Sequence, residues 1–169
     1  MNSKSIAPWL MVSAIAMGHA GPLLARDHNS TQQWQPTGAQ NLKSGRSPHV
    51  NYSLHCAGCH GQNGTGVEHA GIPPFPGFIN RFFEDEEGRL YLMHVPGVVG
   101  AGMPNNDIAS VMNYLVDRWG QADQKVNYFT EEEVDNLRSQ EVADVVELRR
   151  SITQRLASEG VELPEYPWP

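Results

Sequence analysis

Cysteine is nearly absent: the 169 residues contain two, too few for a multi-disulfide scaffold or a four-thiolate zinc site. Positive charge is sparse as well. Twelve Lys and Arg stand against 19 Asp and Glu, for a formal charge of -7, and a pI near 5.4. Such a chain offers no basic footprint to a phosphate backbone, so nucleic acid is not an expected partner. No internal repeat is visible, which sets solenoid architectures aside. Long apolar runs are lacking too. The one from Ala7 to Met17 has eleven residues, short of the roughly 20 needed to span a bilayer.

That run reads as an address. Lys4 precedes it and Gly18-His19-Ala20 follows as a small-x-small cleavage site, with Leu23-Leu24-Ala25 as a second. Residues 1–25 are therefore expected to be a secretory signal peptide cut after Ala20 or Ala25; the competing reading is an uncleaved anchor. The mature protein should not span a membrane and should reside in an exported, oxidising compartment.

What is abundant is Gly and Pro, 16 and 12 residues, which demands many loops. Residues 26–47 are polar without an apolar period and read as a flexible arm. Residues 48–120 hold both cysteines and most of the aromatic and glycine content, and read as the compact domain. Residues 121–169 form a charged helical extension ending in a Pro-rich tail.

The chemistry is concentrated in Cys56-Ala57-Gly58-Cys59-His60. Two thiols three positions apart lie one helical turn from each other. Both can form thioethers to the vinyl edges of one haem while the following imidazole swings beneath the iron. A thioredoxin-like pair would want a preceding strand and no obligatory histidine. A zinc knuckle would need two further ligands, which His69 alone does not supply. A disulfide across two residues is strained in most settings. Met103 sits in Val98-Val99-Gly100-Ala101-Gly102-Met103-Pro104. Small residues there let the backbone approach a flat cofactor, and Pro104 stiffens the exit, so the thioether is aimed. A core-filling role is the other reading of Met103. Met93 and His94 are rivals as ligands. Met112 reads as packing, and His49, His55 and His69 as solvated or bonded to backbone.

Taken in order, Tyr52-x-x-x-Cys56-Ala-Gly-Cys59-His60-Gly61, Gly64-Thr65-Gly66, Pro73-Pro74-Phe75-Pro76-Gly77 and Gly102-Met103-Pro104 resemble a class I c-type cytochrome over residues 48–120. The resemblance implies a mainly α fold, a small helical bundle around one covalent haem c, here with a C-terminal helical extension. It makes Cys56 and Cys59 the attachment points, His60 the proximal ligand and Met103 the sixth. It also makes the Pro73 carbonyl the acceptor for the other His60 ring nitrogen. The pattern departs twice: Pro48 stands where a glycine is usual, and the stretch from Met103 to Tyr114 is short.

Two helical periods follow from the residues themselves. Asn106-Asp107 can cap a helix over 108–118, whose Ile108, Val111, Met112, Leu115 and Trp119 face a core. In the family such a helix crosses the one before the haem motif, so Val111 and Tyr114 should meet the Tyr52 side. Thr130-Glu131-Glu132-Glu133 is a capping box. It opens a stripe of Val134, Leu137, Val142, Val145, Val146, Ile152 and Leu156, broken near Ser139-Gln140. This stripe docks a partner or lies on its own domain; the second is favoured. The tail with Pro164, Pro167 and Trp168 suits a strap.

The function implied is a periplasmic one-electron carrier and not an enzyme, with redox proteins as partners: a periplasmic dehydrogenase as donor, an oxidase or other cytochrome as acceptor. The alternatives are a haem enzyme or gas-binding cytochrome with an open or labile sixth site, and a fixed subunit of a dehydrogenase complex.

Overall fold

Ser47 accepts the Val50 amide on its hydroxyl, and Pro48 takes the first helical position, where a missing amide costs nothing. Helix α1 (Pro48–His55) begins there in the computed structural model, which describes residues 45–121, 126–161 and 163, all within the unit Pro36–Pro169. The expected signal peptide, most of the expected arm and nearly all of the Pro-rich tail lie outside the described residues. Eight helices follow the chain order: α1, α2 (Ala57–His60), α3 (Ile79–Glu84), α4 (Glu86–His94), α5 (Pro96–Val99), α6 (Asn105–Trp119), α7 (Glu131–Ser139) and α8 (Val145–Ser158). The fold is mainly α. Among the described residues no strand forms, only an isolated antiparallel bridge between Val67 and Ile72, and no helix is long and apolar enough to cross a membrane.

Helix α6 is the central element, with Ile108, Val111, Met112 and Leu115 all buried. It starts earlier than its sequence suggests. Pro104 stands at the N-cap with an extended backbone, and its carbonyl accepts the amides of Asp107 and Ile108 at 3.0 Å each. Asn106 and Asp107 are thus buried in the first turn and do not cap it. The reason is that proline's fixed φ sets the helix entry without a capping side chain. Helix α1 packs on α6, where Tyr52 meets Tyr114 at 5.9 Å and Trp119 at 5.0 Å between ring centroids.

The acidic stretch 84–88 is more than punctuation. Asp85 ends α3 and caps α4, accepting the Gly88 amide at 2.7 Å. Helix α4 then carries α7 and α8 on its flank. Thr130 caps α7 by accepting the Glu133 amide at 3.2 Å. The Glu133 carboxylate does not complete the reciprocal box; it pairs with Arg89 at 2.6 and 2.7 Å. Asn113 of α6 fastens the segment between, bonding the Phe129 backbone at both its amide and carbonyl, at 2.8 and 2.9 Å. The apolar stripe of α7 and α8 is turned inward, with Val134, Ile152 and Leu156 buried.

Candidate functional site

Cys56 closes α1 and opens α2, donating its amide to the Tyr52 carbonyl at 2.8 Å. Its own carbonyl accepts the amides of Cys59 and His60 at 3.2 and 3.0 Å. That single turn puts both sulfurs on one side, and both thiols are free and line the same cavity. Burial pushes the Cys56 thiol up to about 11, with the nearby Cys59 adding to the rise. A redox-active pair requires the opposite, a thiol depressed toward neutrality, so exchange chemistry does not suit this site. Among the described residues no group of three or more His, Cys, Asp or Glu is placed to hold a metal ion.

His60 also lines the cavity. Its Nδ1 lies 3.2 Å from the Pro73 carbonyl, and its ring stacks on Phe75 with centroids 4.1 Å apart. Burial lowers its pKa, partly opposed by the Pro73 bond. In the tautomer that bonds the Pro73 carbonyl, Nδ1 donates and Nε2 is left as the electron-pair donor that a metal requires. The loop that brings Pro73 here depends on Gly66, whose φ is +66°; a Cβ on it would stand 2.2 Å from the Ile72 carbonyl oxygen and 2.6 Å from that of Pro73. Only glycine permits this approach.

The cavity is walled by Ile79 and Phe82 of α3, Tyr91 and Leu92 of α4, and the buried face of α6. Its empty volume, open mouth included, is about 1280 Å³. Aliphatic and aromatic side chains dominate the wall, with two thiols and an imidazole on one side and the Met103 thioether also contributing. A large apolar ring tethered at the cysteines fits these donors: thiols for attachment, and a soft sulfur and a neutral imidazole for iron.

Of the rivals, Met93 is fully buried and is not part of the wall. His94 has Nδ1 at 2.9 Å from the Leu90 carbonyl and Nε2 at 2.9 Å from that of Gln140, so both its nitrogens are engaged away from the cavity. Met112 and His55 do line it. His49 sets its ring edge on Tyr114, and His69 lies in a 3-10 turn. Sequence reasoning missed Arg149, which reaches the wall from α8. The signal was present: Val145, Arg149, Ile152 and Leu156 follow the spacing of one helical face, and the arginine fills a gap in an apolar stripe.

A haem-binding helical protein is the class that this cavity and fold define. The chain is similar to cytochrome c-552 of Thermus thermophilus, with 34% identity over 107 residues, spanning 52% of this chain and 81% of that protein. It is equally similar, at 34% over 107 residues, to a cytochrome c-552 from a designated strain of the same organism, of which 72% is covered. The protein belongs to the class I c-type cytochromes, haem-based electron carriers that work with redox partners. No family model matches the chain, and no solved structure matches it.

Proposed function

We propose that this protein is an exported, periplasmic one-electron carrier with one haem c attached through Cys56 and Cys59, ligated by His60 and Met103. It would take electrons from a dehydrogenase and deliver them to a respiratory acceptor. The observation that carries this reading is the convergence of the Cys56–His60 turn, Pro73 and Met103, three separate stretches of the sequence, on one apolar cavity. When bound, haem would supply the one-electron change at iron, with the His60 imidazole and the Met103 thioether as the residues that would hold the metal and the thioether raising its potential.

The chain's own residues do the rest. Cys56 and Cys59 anchor one edge, so the group cannot leave or turn over. The Pro73 carbonyl and the Phe75 ring orient His60 and hold its tautomer. Gly102, with φ +63°, and Pro104 constrain the backbone on either side of Met103. The apolar wall excludes water, so the same donors serve both oxidation states and little has to move when an electron passes.

Acid-acetone extraction should leave haem on the wild type and release it from the Cys56→Ser, Cys59→Ser double variant. Carbon monoxide should bind the ferrous wild type poorly and Met103→Ala readily. Extractable haem in the wild type defeats covalent attachment. Immediate carbon monoxide binding by the wild type favours the enzyme or gas-binding reading.

A further inference from the structure

The wall of the haem cavity contains one permanently charged side chain among the described residues, Arg149, and no Asp or Glu. Arg149 is only 4% exposed. Its guanidinium carbon stands 5.1 Å from the centre of the Phe82 ring and 5.6 Å from that of Tyr91. Both rings belong to the same wall. Other arginines of this region bind carboxylates: Arg155 binds Asp85 and Glu87, Arg150 binds Glu147, and Arg89 binds Glu133. Arg149 alone among them contributes to the cavity.

Arg149 and the cysteines reach the cavity from different elements. Cys56 and Cys59 sit at the α1–α2 corner and fix the vinyl edge of the ring. Arg149 comes from α8, which packs on α4, and its head lies against α3 and α4 side chains. The two carboxylates of haem are on the edge opposite the vinyl groups. A guanidinium carries five N–H donors in a planar fork, a shape that matches a carboxylate bidentately. Apolar surroundings weaken screening and strengthen such a pair.

We infer that Arg149 binds a haem propionate, so that the segment after Gly120 supplies a cofactor-binding residue as well as a covering for the domain. This rests on the haem reading above. The pair neutralises one negative charge near the iron and thereby favours the reduced state. Arg149 is a positioning and charge-balancing residue; it does not ligate iron.

The test uses the holoprotein with Arg149→Gln, Arg149→Met and Arg149→Lys. The Gln and Met variants should retain covalent haem and the low-spin spectrum. At a fixed ambient potential, their ratio of reduced to oxidised protein should fall up to about tenfold, which is ~59 mV for a one-electron couple. The propionate bending band in resonance Raman should move in all three variants, because lysine keeps the charge and loses the fork. Lysine should restore most of the potential. If Gln and Met leave both the potential and the Raman band at wild-type values and lower only the melting temperature, the arginine merely packs on Phe82 and Tyr91 and the inference fails. Should Gln and Met not fold, an unchanged Raman band in Arg149→Lys overturns it alone. A wild type without covalent haem would instead defeat the parent reading, an outcome seen before any variant is made.

Discussion

Two junctions of the molecule are built from different materials. Where α1 crosses α6, the contact is aromatic: Tyr52, Tyr114 and Trp119 meet one another, and Phe75 joins Trp119 at 5.6 Å. Where α7 and α8 lie on α4, charges do much of the joining. Arg89 spans Glu133, the Phe83 and Asn127 carbonyls, and the face of Phe129 at 3.8 Å. Arg155 clasps Asp85 at 2.6 and 2.9 Å. The first junction is made by ring contacts, which salt screens little. The second should respond to salt and to pH, since its ion pairs are partly exposed and lose strength when screened or protonated. The Cys56–His60 turn lies at the first, and Arg149 brings the second to the same cavity.

The largest effect should come from removing the second junction whole. Truncation after Gly120 deletes Phe129, Val134, Ile152 and Leu156, all buried. At roughly 1.5–3 kcal/mol per side chain this is roughly 6–12 kcal/mol, comparable with the whole stability of a domain. The truncated holoprotein should melt far below the full chain by circular dichroism. An unchanged midpoint would show that the aromatic junction holds the domain unaided.

Next is a change at the first junction's own loop. Gly66→Ala forces a side chain into a left-handed backbone, about 1–3 kcal/mol by itself, and drives it against the Ile72 and Pro73 carbonyls. The melting point should fall, and the haem absorption should shift as the His60 partner is displaced. A stability loss with an unaltered spectrum would separate the Pro73 contact from ligand orientation.

Acid should then distinguish the junctions. Burial tends to raise the Asp85 pKa, but the Arg155 pair and the Gly88 and Glu87 amides outweigh it and hold the carboxyl below its ordinary value. A depressed carboxyl contributes stability that is complete above its unfolded pKa, about 3.9. That contribution is lost as pH falls through the lower folded value. Wild-type melting temperature should therefore drop more steeply below about pH 4 than that of Asp85→Asn, whose difference from wild type should be largest at neutral pH. Parallel curves would remove Asp85 from the clasp.

The smallest effect belongs to the Glu147–Arg150 pair on the outer face of α8. Glu147→Gln should change stability by no more than about 1 kcal/mol, the usual worth of an exposed pair. A larger loss by thermal melting would mean that α8 is held by more than its buried stripe and the Asp85 clasp.

Local features were the legible ones. The spacing of Cys56, Cys59 and His60, the Thr130 cap, the proline start of α1 and the break after Ser139 each involve residues within a turn of one another. The order of side chains there is nearly the geometry. The first turn of α6 was misread because Asn106 and Asp107 look like caps, whereas Pro104 sets the entry from outside the apolar period. Glu133 was read as half of a capping box, and its carboxylate went to Arg89, 44 positions away.

The amino-acid sequence by itself determined that two thiols and an imidazole stand at one helical spacing, Cys56, Cys59 and His60. Tertiary structure decided which distant groups share the cavity with them. Met93, Met103 and Met112 are chemically equal in the sequence, yet Met93 is not part of the wall and the other two are. Arg149 looks like a surface residue until α8 settles on α4. The physical reason is that side-chain type and local spacing are written along the chain. The angle and register at which helices cross are set by the packing of all their buried faces together, and no short segment contains that information.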